Sequence, residues 1–267
     1  HVALRVQNDL DVASDPARPE RTDAAAVLKT AADDANRDSA SSAAHLVALV
    51  RARAKGVGLL TVSNHASVLD DPFLVGALLP LPLAVDARRA RWAACSQEVC
   101  FSRGALVSAF FGAGKTLPIK RGGGLDQPGL AALAQKLADG DWVHVFPEGH
   151  VHQGDAIGRG RGSRESNERD DATTARIGAL KWGTAKLIAH APNPVLVVPF
   201  VHAGMPRLMP YDASGKCESK LWKWRQDVTV LVGRPIQFDD LIADHERRTG
   251  APVRRYYAPE TTTTTTT

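Results

Sequence analysis

The chain is poor in the features that mark several protein classes. Three cysteines, Cys95, Cys100 and Cys217, are too few for a disulfide-built scaffold, so reduced thiols and a hydrophobic core are expected. There is no apolar run of about eighteen residues, so no membrane-spanning helix is expected in this stretch of sequence. Neither sign of charge dominates. Lys+Arg 33 against Asp+Glu 29 leaves +4, compatible with an anionic lipid surface or nucleic acid and diagnostic of neither. There is no internal repeat and no G-x-S-x-G elbow, which argues against a serine hydrolase and leaves Ser67 as a residue inside a turn. Gly112-Ala113-Gly114-Lys115-Thr116 resembles the end of a phosphate loop. The required earlier glycine is Ala109, however, and the segment runs from helix into strand, the wrong order for nucleotide binding.

What remains is a chain of 267 residues, 44% apolar and 23% charged, enough for one substantial domain. β-rich runs at 57–63, 116–120, 142–146, 195–201 and 228–233 alternate with helical patterns at 72–79, 128–138, 177–190 and 238–248. This alternation predicts an α/β domain with a mostly parallel or mixed sheet flanked by helices. Residues 1–40 read as a loose leader with one weak helix at 24–32, and 41–257 as the domain. Gly158–Thr174 reads as a flexible surface insertion, and 258–267 as a low-complexity tail. The insertion interleaves acidic with basic residues and has no aromatics, so it reads as a solvated loop and not a nucleic-acid patch.

The chemistry concentrates at strand ends. The first run leads into Thr61–Pro72, TVSNHASVLDDP, where Asp70 follows His65 by five positions. On a regular helix these side chains would lie about 140° apart, so they meet only across an irregular strand-to-helix turn. Pro72 supplies that irregularity by pushing Asp71 out of the helical region, with Asp71 the expected N-cap. A carboxylate on one imidazole nitrogen leaves the other to take a proton from a substrate hydroxyl. The plainer alternative is a structural histidine bonded to a helix-capping aspartate. His144, His150 and His152 bracket a strand end, but nothing completes a metal site around them, and no metal or cofactor is expected.

Two further blocks follow. Lys115–Arg121, KTLPIKR, sets three cations around a short strand, where Arg121 suits a phosphate clamp or a solvated face. Asp141–Gly149, DWVHVFPEG, runs from a strand into a Pro-Glu-Gly turn, a usual place for ligand sites in α/β domains. In this order, Asn64-His65-x4-Asp70, Gly114-x4-Ile119-x-Arg121, Phe146-Pro147-Glu148-Gly149 and Val198-Pro199-Phe200 resemble the glycerolipid acyltransferase family. TVSNHASVLDDP, DWVHVFPEG and Lys181–Ile188, KWGTAKLI, are similar to its tafazzin branch, over roughly Gly56 to Pro235.

The resemblance implies His65 and Asp70 as catalytic residues, with Arg121, Glu148, Gly149 and Lys115 around the glycerol-phosphate part of the substrate. It implies CoA-independent transfer of an acyl chain between a phospholipid and a lysophospholipid, as in cardiolipin-type remodelling, on a membrane that is mitochondrial in that branch. The rivals are an acyl-CoA-dependent lysophospholipid or 1-acylglycerol-3-phosphate acyltransferase and a non-catalytic membrane-interface module. Two departures stand out: His150 occupies the position after the FPEG block where a lysine is usual, and 158–174 looks inserted.

Phe73–Val85, FLVGALLPLPLAV, is apolar, too short to span a bilayer and interrupted by Pro80 and Pro82. It reads either as a buried helix with a loop or as a surface dipping into one leaflet. Gly104–Gly112 and the cations Arg88, Arg89 and Arg91 would support the second reading. On that reading Leu78 and Leu79 are expected to touch lipid.

Overall fold

A computed structural model describes residues 3–8, 41–102, 104–151, 153, 180–191, 193, 195–212, 217–218, 222–223 and 225–253. The helix expected at 24–32, the insertion at 158–174, the tail at 258–267 and His152 lie outside the described residues.

The strands are β1 (Ala3–Asn8), β2 (Gly58–Ser63), β3 (Trp92–Ser96), β4 (Thr116–Ile119), β5 (Trp142–Val145), β6 (Val195–Ala203) and β7 (Asp227–Val232). They form one sheet in the order β1-β7-β6-β2-β5-β3-β4. All pairings are parallel except β6 with β7, so the sheet is mixed and mostly parallel, as the alternating pattern requires. Two strands were not evident in sequence. β3 reads WAACS, with no β-branched residue to signal a strand. β1 lies in the stretch read as a loose leader, where it pairs with β7 at one edge.

The helices are α1 (Ser41–Ala52), α2 (Val75–Ala77), α3 (Leu81–Ala84), α4 (Gln97–Cys100), α5 (Ala105–Ala113), α6 (Pro128–Ala138), α7 (Trp182–Ala189), α8 (Met205–Leu208) and α9 (Asp239–Thr249). They create two cores, one on each face of the sheet. Leu59 of β2 packs with Leu46 and Val50 of α1, the segment Leu74–Leu79, and Val228 and Val230 of β7. Leu60, its neighbour, points the other way and packs with Leu133 and Leu137 of α6 and Leu187 of α7. This alternation is the pleat of a strand buried on both sides. Helix α6 lies so close to β4 that a Cβ on Gly129 would stand 2.0 Å from the Pro118 carbonyl oxygen. Only glycine fits there.

The sheet's layout positions the site. β6, β2, β5, β3 and β4 run in one direction, so their carboxyl ends share one edge, and the segments after β2 and β5 leave it side by side. Cys95 and Cys100, expected as thiols, are joined by a disulfide between the end of β3 and α4, and Cys217 is a free exposed thiol. Five residues apart with Cα atoms 6.2 Å apart, the two are close enough to bridge.

Candidate active site

β2 ends at Ser63, and the chain leaves the sheet through Asn64 and His65 before a short helical turn, Asp70–Leu74. Asp71, with φ −125° and ψ 121°, breaks that turn. This is the extended conformation that a following proline imposes. The break lets Asp70 fold back over the residues before it. Its Oδ2 accepts hydrogen bonds from the backbone N–H of Ala66 at 2.7 Å and Ser67 at 2.8 Å. The same oxygen lies 3.0 Å from His65 Nδ1. A carboxylate bonded this way fixes the imidazole with its proton on Nδ1. Among the described residues nothing hydrogen-bonds His65 Nε2, and the side chain is 19% exposed whereas Asp70 is 0%. One nitrogen is thus clamped to a buried carboxylate, and the other has no hydrogen-bond partner among the described residues.

Asp71 does not use its carboxylate as a helix cap. It forms an ion pair with Arg91, through Nε at 2.6 Å and through Nη2. Burial raises the Asp71 pKa although Arg91 opposes it. Arg91 is therefore committed inside the protein and is not a cation offered to a membrane. Ser67 is buried, and its Oγ accepts the Leu69 N–H, in keeping with a structural role.

The FPEG turn meets His65 from the neighbouring strand. Val62 of β2 pairs with Val145 of β5, so Phe146 leaves the sheet beside His65. Their rings stack with centroids 3.9 Å apart and planes 13° from parallel. Glu148 is buried, and its Oε1 accepts the His65 backbone N–H at 3.1 Å. Burial raises its pKa. Gly149 closes the turn at φ +71°, its N–H bonding the Phe146 carbonyl at 3.1 Å. The left-handed conformation favours glycine, and a Cβ there would press on the Lys181 side chain at 3.3 Å. Lys181 also donates its backbone N–H to the Pro147 carbonyl at 2.8 Å, which brings the KWG block against FPEG. His150 is exposed.

A residue pair that sequence reasoning missed lies on the other side. Asn64 Nδ2 donates to the His202 carbonyl at 3.0 Å, while its Oδ1 accepts the His202 N–H at 2.9 Å. His202 Nε2 in turn lies 2.9 Å from the Asn64 carbonyl and 3.5 Å from Asp70 Oδ2. Burial lowers its pKa although Asp70 opposes it, and facing a carbonyl oxygen Nε2 is the donor. This two-way clasp pins the start of the His65–Asp70 turn to β6. Asn64 directly before His65 was the only local signal.

Two other predicted positions divide. Arg121 follows β4 at the same edge, is exposed, and its charge is felt by Glu98. Three inter-strand steps separate β4 from β2, roughly 14 Å at about 4.8 Å per step, so Arg121 lies on the same edge as His65, further along it. Asp126, a possible ionic partner for Arg121, instead holds Lys186 at 2.6 Å. Lys115 precedes β4 and so lies at the opposite edge. Its Nζ donates to the Ala90 carbonyl at 3.2 Å and sits 5.1 Å over the Trp92 ring. The structure does not bring it to the site, because the strand between Lys115 and Arg121 carries them to opposite ends of the sheet. No metal-binding group of three or more His, Cys, Asp or Glu occurs among the described residues.

Comparison with known proteins converges on the same region. A family model described as Acyltransferase matches residues 46–203. The chain is 39% identical over 214 residues to N-acylphosphatidylethanolamine synthase of Arabidopsis thaliana, covering 80% of this chain and 68% of that protein. It is 34% identical over 203 residues to tafazzin of Drosophila melanogaster, covering 76% of this chain and 47% of that protein. With tafazzin of Saccharomyces cerevisiae the identity is 27% over 250 residues, covering 80% and 60%. The chain thus spans about half the length of the fly tafazzin and somewhat more of the yeast protein. The matched span holds the strand-end histidine, its buried aspartate and the turn tied to them, and the chain belongs to the acyltransferase family, as a tafazzin-type glycerolipid acyltransferase.

Proposed function

We propose that the protein moves an acyl chain from a phospholipid to a lysophospholipid without coenzyme A, at one face of a membrane. The observation that carries this reading is the His65–Asp70 pair, with Nδ1 held at 3.0 Å and Nε2 turned to the outside. Nε2 removes the proton from the lysolipid hydroxyl, and the resulting oxygen attacks the acyl carbonyl carbon of the donor. The tetrahedral intermediate collapses by breaking the bond to the donor's glycerol oxygen. That oxygen takes the proton back from His65, giving a new phospholipid and a new lysophospholipid. The buried Asp70 carboxylate stabilises the transient imidazolium. Arg121 holds a headgroup phosphate, and Glu148, fixed on the His65 N–H, binds a glycerol hydroxyl while Gly149 keeps the turn tight. No metal or cofactor enters these steps. The family likeness supports cardiolipin-type remodelling in a mitochondrial membrane as the setting.

The exposed apolar residues of both expected stretches support an interfacial position, although not through Leu78 and Leu79. Leu78 and Leu79 are buried in the core, whereas Phe73, Leu81 and Val85 are exposed. Helix α5, ALVSAFFGA, buries none of its residues, with Leu106 88% and Phe110 73% exposed. Trp182, 77% exposed, adds an aromatic of the kind that settles at membrane interfaces. No described helix is long and apolar enough to cross a membrane, so we place α5 in the plane of one leaflet.

The test is acyl exchange between a labelled phospholipid and a lysophospholipid in vesicles, with and without acyl-CoA. Exchange without CoA supports the reading, and labelling only from acyl-CoA replaces it with the CoA-dependent reaction. The 39% identity to an N-acylphosphatidylethanolamine synthase favours a second reading, in which the acceptor is the amine of phosphatidylethanolamine. Mass spectrometry of the same reaction separates amide from ester products.

A further inference from the structure

An open groove of about 620 Å³ lies beside the site on the flank away from Arg121, lined by Gln153, Arg207, Tyr211, Lys223 and Gln226 among others. Its place follows from topology. α8 follows β6 at the sheet's carboxyl edge, and β7 runs antiparallel to β6, so the residues entering β7 return to that edge. The Lys223 N–H donates to the Leu208 carbonyl at 2.7 Å, fastening this return to α8. Gln153, four residues beyond Gly149, donates to the Met209 carbonyl at 2.8 Å and accepts the Tyr211 N–H at 2.8 Å. One wall of the groove is therefore a continuation of the FPEG turn.

We propose that this groove binds the phosphodiester headgroup of a second glycerophospholipid, held by Arg207 and Lys223. The proposal rests on the two-lipid reading above. Among the described residues the lining has two cations and no carboxylate. Arg207 uses one donor on the Asp227 carbonyl at 2.6 Å, which orients the guanidinium and leaves further N–H groups for an anion. Lys223 Nζ stands 3.5 Å from Glu218, both side chains about half exposed, an ion pair too weak to withhold it from a phosphate. Burial, with Cys217 and Asp70 nearby and a hydrogen bond to Cys217, pushes the Tyr211 phenol up to about 12, so it adds no negative charge to the groove. Beside Lys223, Trp222 meets Phe73 with ring centroids 5.7 Å apart, an apolar rim linking the turn after Asp70 to the groove and suited to acyl chains. The volume lies within the range of small-ligand sites. His65 thus stands between two cationic flanks, β4 with Arg121 on one side and β6–β7 with Arg207 and Lys223 on the other. A transfer between two phospholipids has two headgroups to place.

The test titrates the chain with dihexanoyl phosphatidylglycerol below its micelle concentration, by calorimetry. Two equivalents are expected for the unaltered chain. The double variant Arg207→Gln/Lys223→Gln should retain one, and Arg121→Gln should retain the other. Should the double variant melt early, Lys223→Gln alone, which loses only the 3.5 Å contact, should still weaken one equivalent roughly tenfold. A single equivalent in the unaltered chain, or two that the groove variants leave intact, overturns the proposal. So does inorganic phosphate binding the groove more tightly than the lipid, which would make it a free-anion site. Exchange kinetics separate this proposal from the two-lipid reading. Absent CoA-independent exchange with two equivalents bound removes the two-lipid reading and leaves the groove. Exchange in which the groove variants change the apparent KM for neither lipid removes the groove and leaves that reading.

Discussion

Two histidines contact the same phenylalanine and serve opposite ends. His65 stacks on Phe146 from the strand-end turn, whereas His144, within β5, meets it edge-on with centroids 4.6 Å apart. His65 has a carboxylate on one nitrogen and an open second nitrogen. His144 is fully buried, with Nδ1 2.9 Å from the Thr61 hydroxyl that also accepts the Trp142 indole N–H at 2.9 Å. Burial drives its pKa down to about 3, so it is a neutral structural ring at any ordinary pH. Residue type is the same in both. What separates a base from a core residue is whether a charge partner and an approach for substrate come with the ring.

The largest effect should come from breaking the reactive member of the pair. His65→Ala should cost about 10²–10⁴ in acyl-transfer rate, with the fold retained because the side chain lies at a turn. Asp70→Asn should be similarly severe. A His65→Ala enzyme that keeps more than about a tenth of its activity would falsify the general-base role. Next, Arg121→Ala should lower kcat/KM roughly ten- to hundredfold, mainly through the apparent KM for lysolipid, as expected for a contact equal in ground and transition states. Arg121→Lys should recover only part of this, since an ammonium lacks the planar fork. Rates across lysolipid mole fractions in fixed vesicles decide it.

His144→Ala sharpens the contrast from the other side. Losing a buried ring and its bond to Thr61 should cost about 2–4 kcal/mol, or roughly 5–10 °C in melting temperature for a domain of this size. Activity per folded molecule should change far less than in His65→Ala. Should the two variants lose activity equally without unfolding, the contrast between them fails.

The membrane surface separates exposed from buried leucines in the same way. Leu106→Ser with Phe110→Ser should weaken co-sedimentation with anionic vesicles several-fold at unchanged stability, because both side chains are exposed on α5. Leu78→Ser with Leu79→Ser should instead lower the melting temperature. Binding indifferent to α5 yet abolished by salt would mean a purely electrostatic contact.

The smallest effect is on pH dependence. His144 has a folded pKa of about 3 against roughly 6.5 when unfolded. Below about 6.5 the unfolded chain takes up a proton that the folded chain refuses. This contribution is therefore fully present above that pH and is lost as pH falls towards 3. His202, lowered in the same direction, adds to it. Melting temperature should fall from pH 7 to pH 4, and the slope should be shallower in His144→Asn. Equal slopes would remove His144 as a source.

Much of the site was legible because its signals are local. His65 directly after a β-rich run, Asp70 beyond it and Pro72 forcing an extended residue between them predict an irregular turn with the two side chains in reach, and that is how the turn is built. The FPEG block likewise announces a tight turn after a strand, closed by Gly149 at positive φ. The α/β alternation followed from spacing alone. β3 escaped notice because WAACS has little strand propensity and is held by its neighbours β4 and β5.

The rest depended on which strands lie side by side. Hydrophobic period and turn chemistry are properties of neighbouring residues, so the sequence by itself determined the kinds of element, their order and the residues at their ends. Strand order is settled by burial summed over the whole sheet, which no short window contains. Only the tertiary structure set β5 beside β2 and so tied Glu148 to the His65 N–H. It set β6 on the other side, bringing His202 within 3.5 Å of Asp70 from 132 residues away in the chain. It also sent Lys115 to the far edge, turned Leu78 and Leu79 inward and paired Arg91 with Asp71. Each of these outcomes turns on direction in space, which one-dimensional order leaves open until the sheet closes around its two cores.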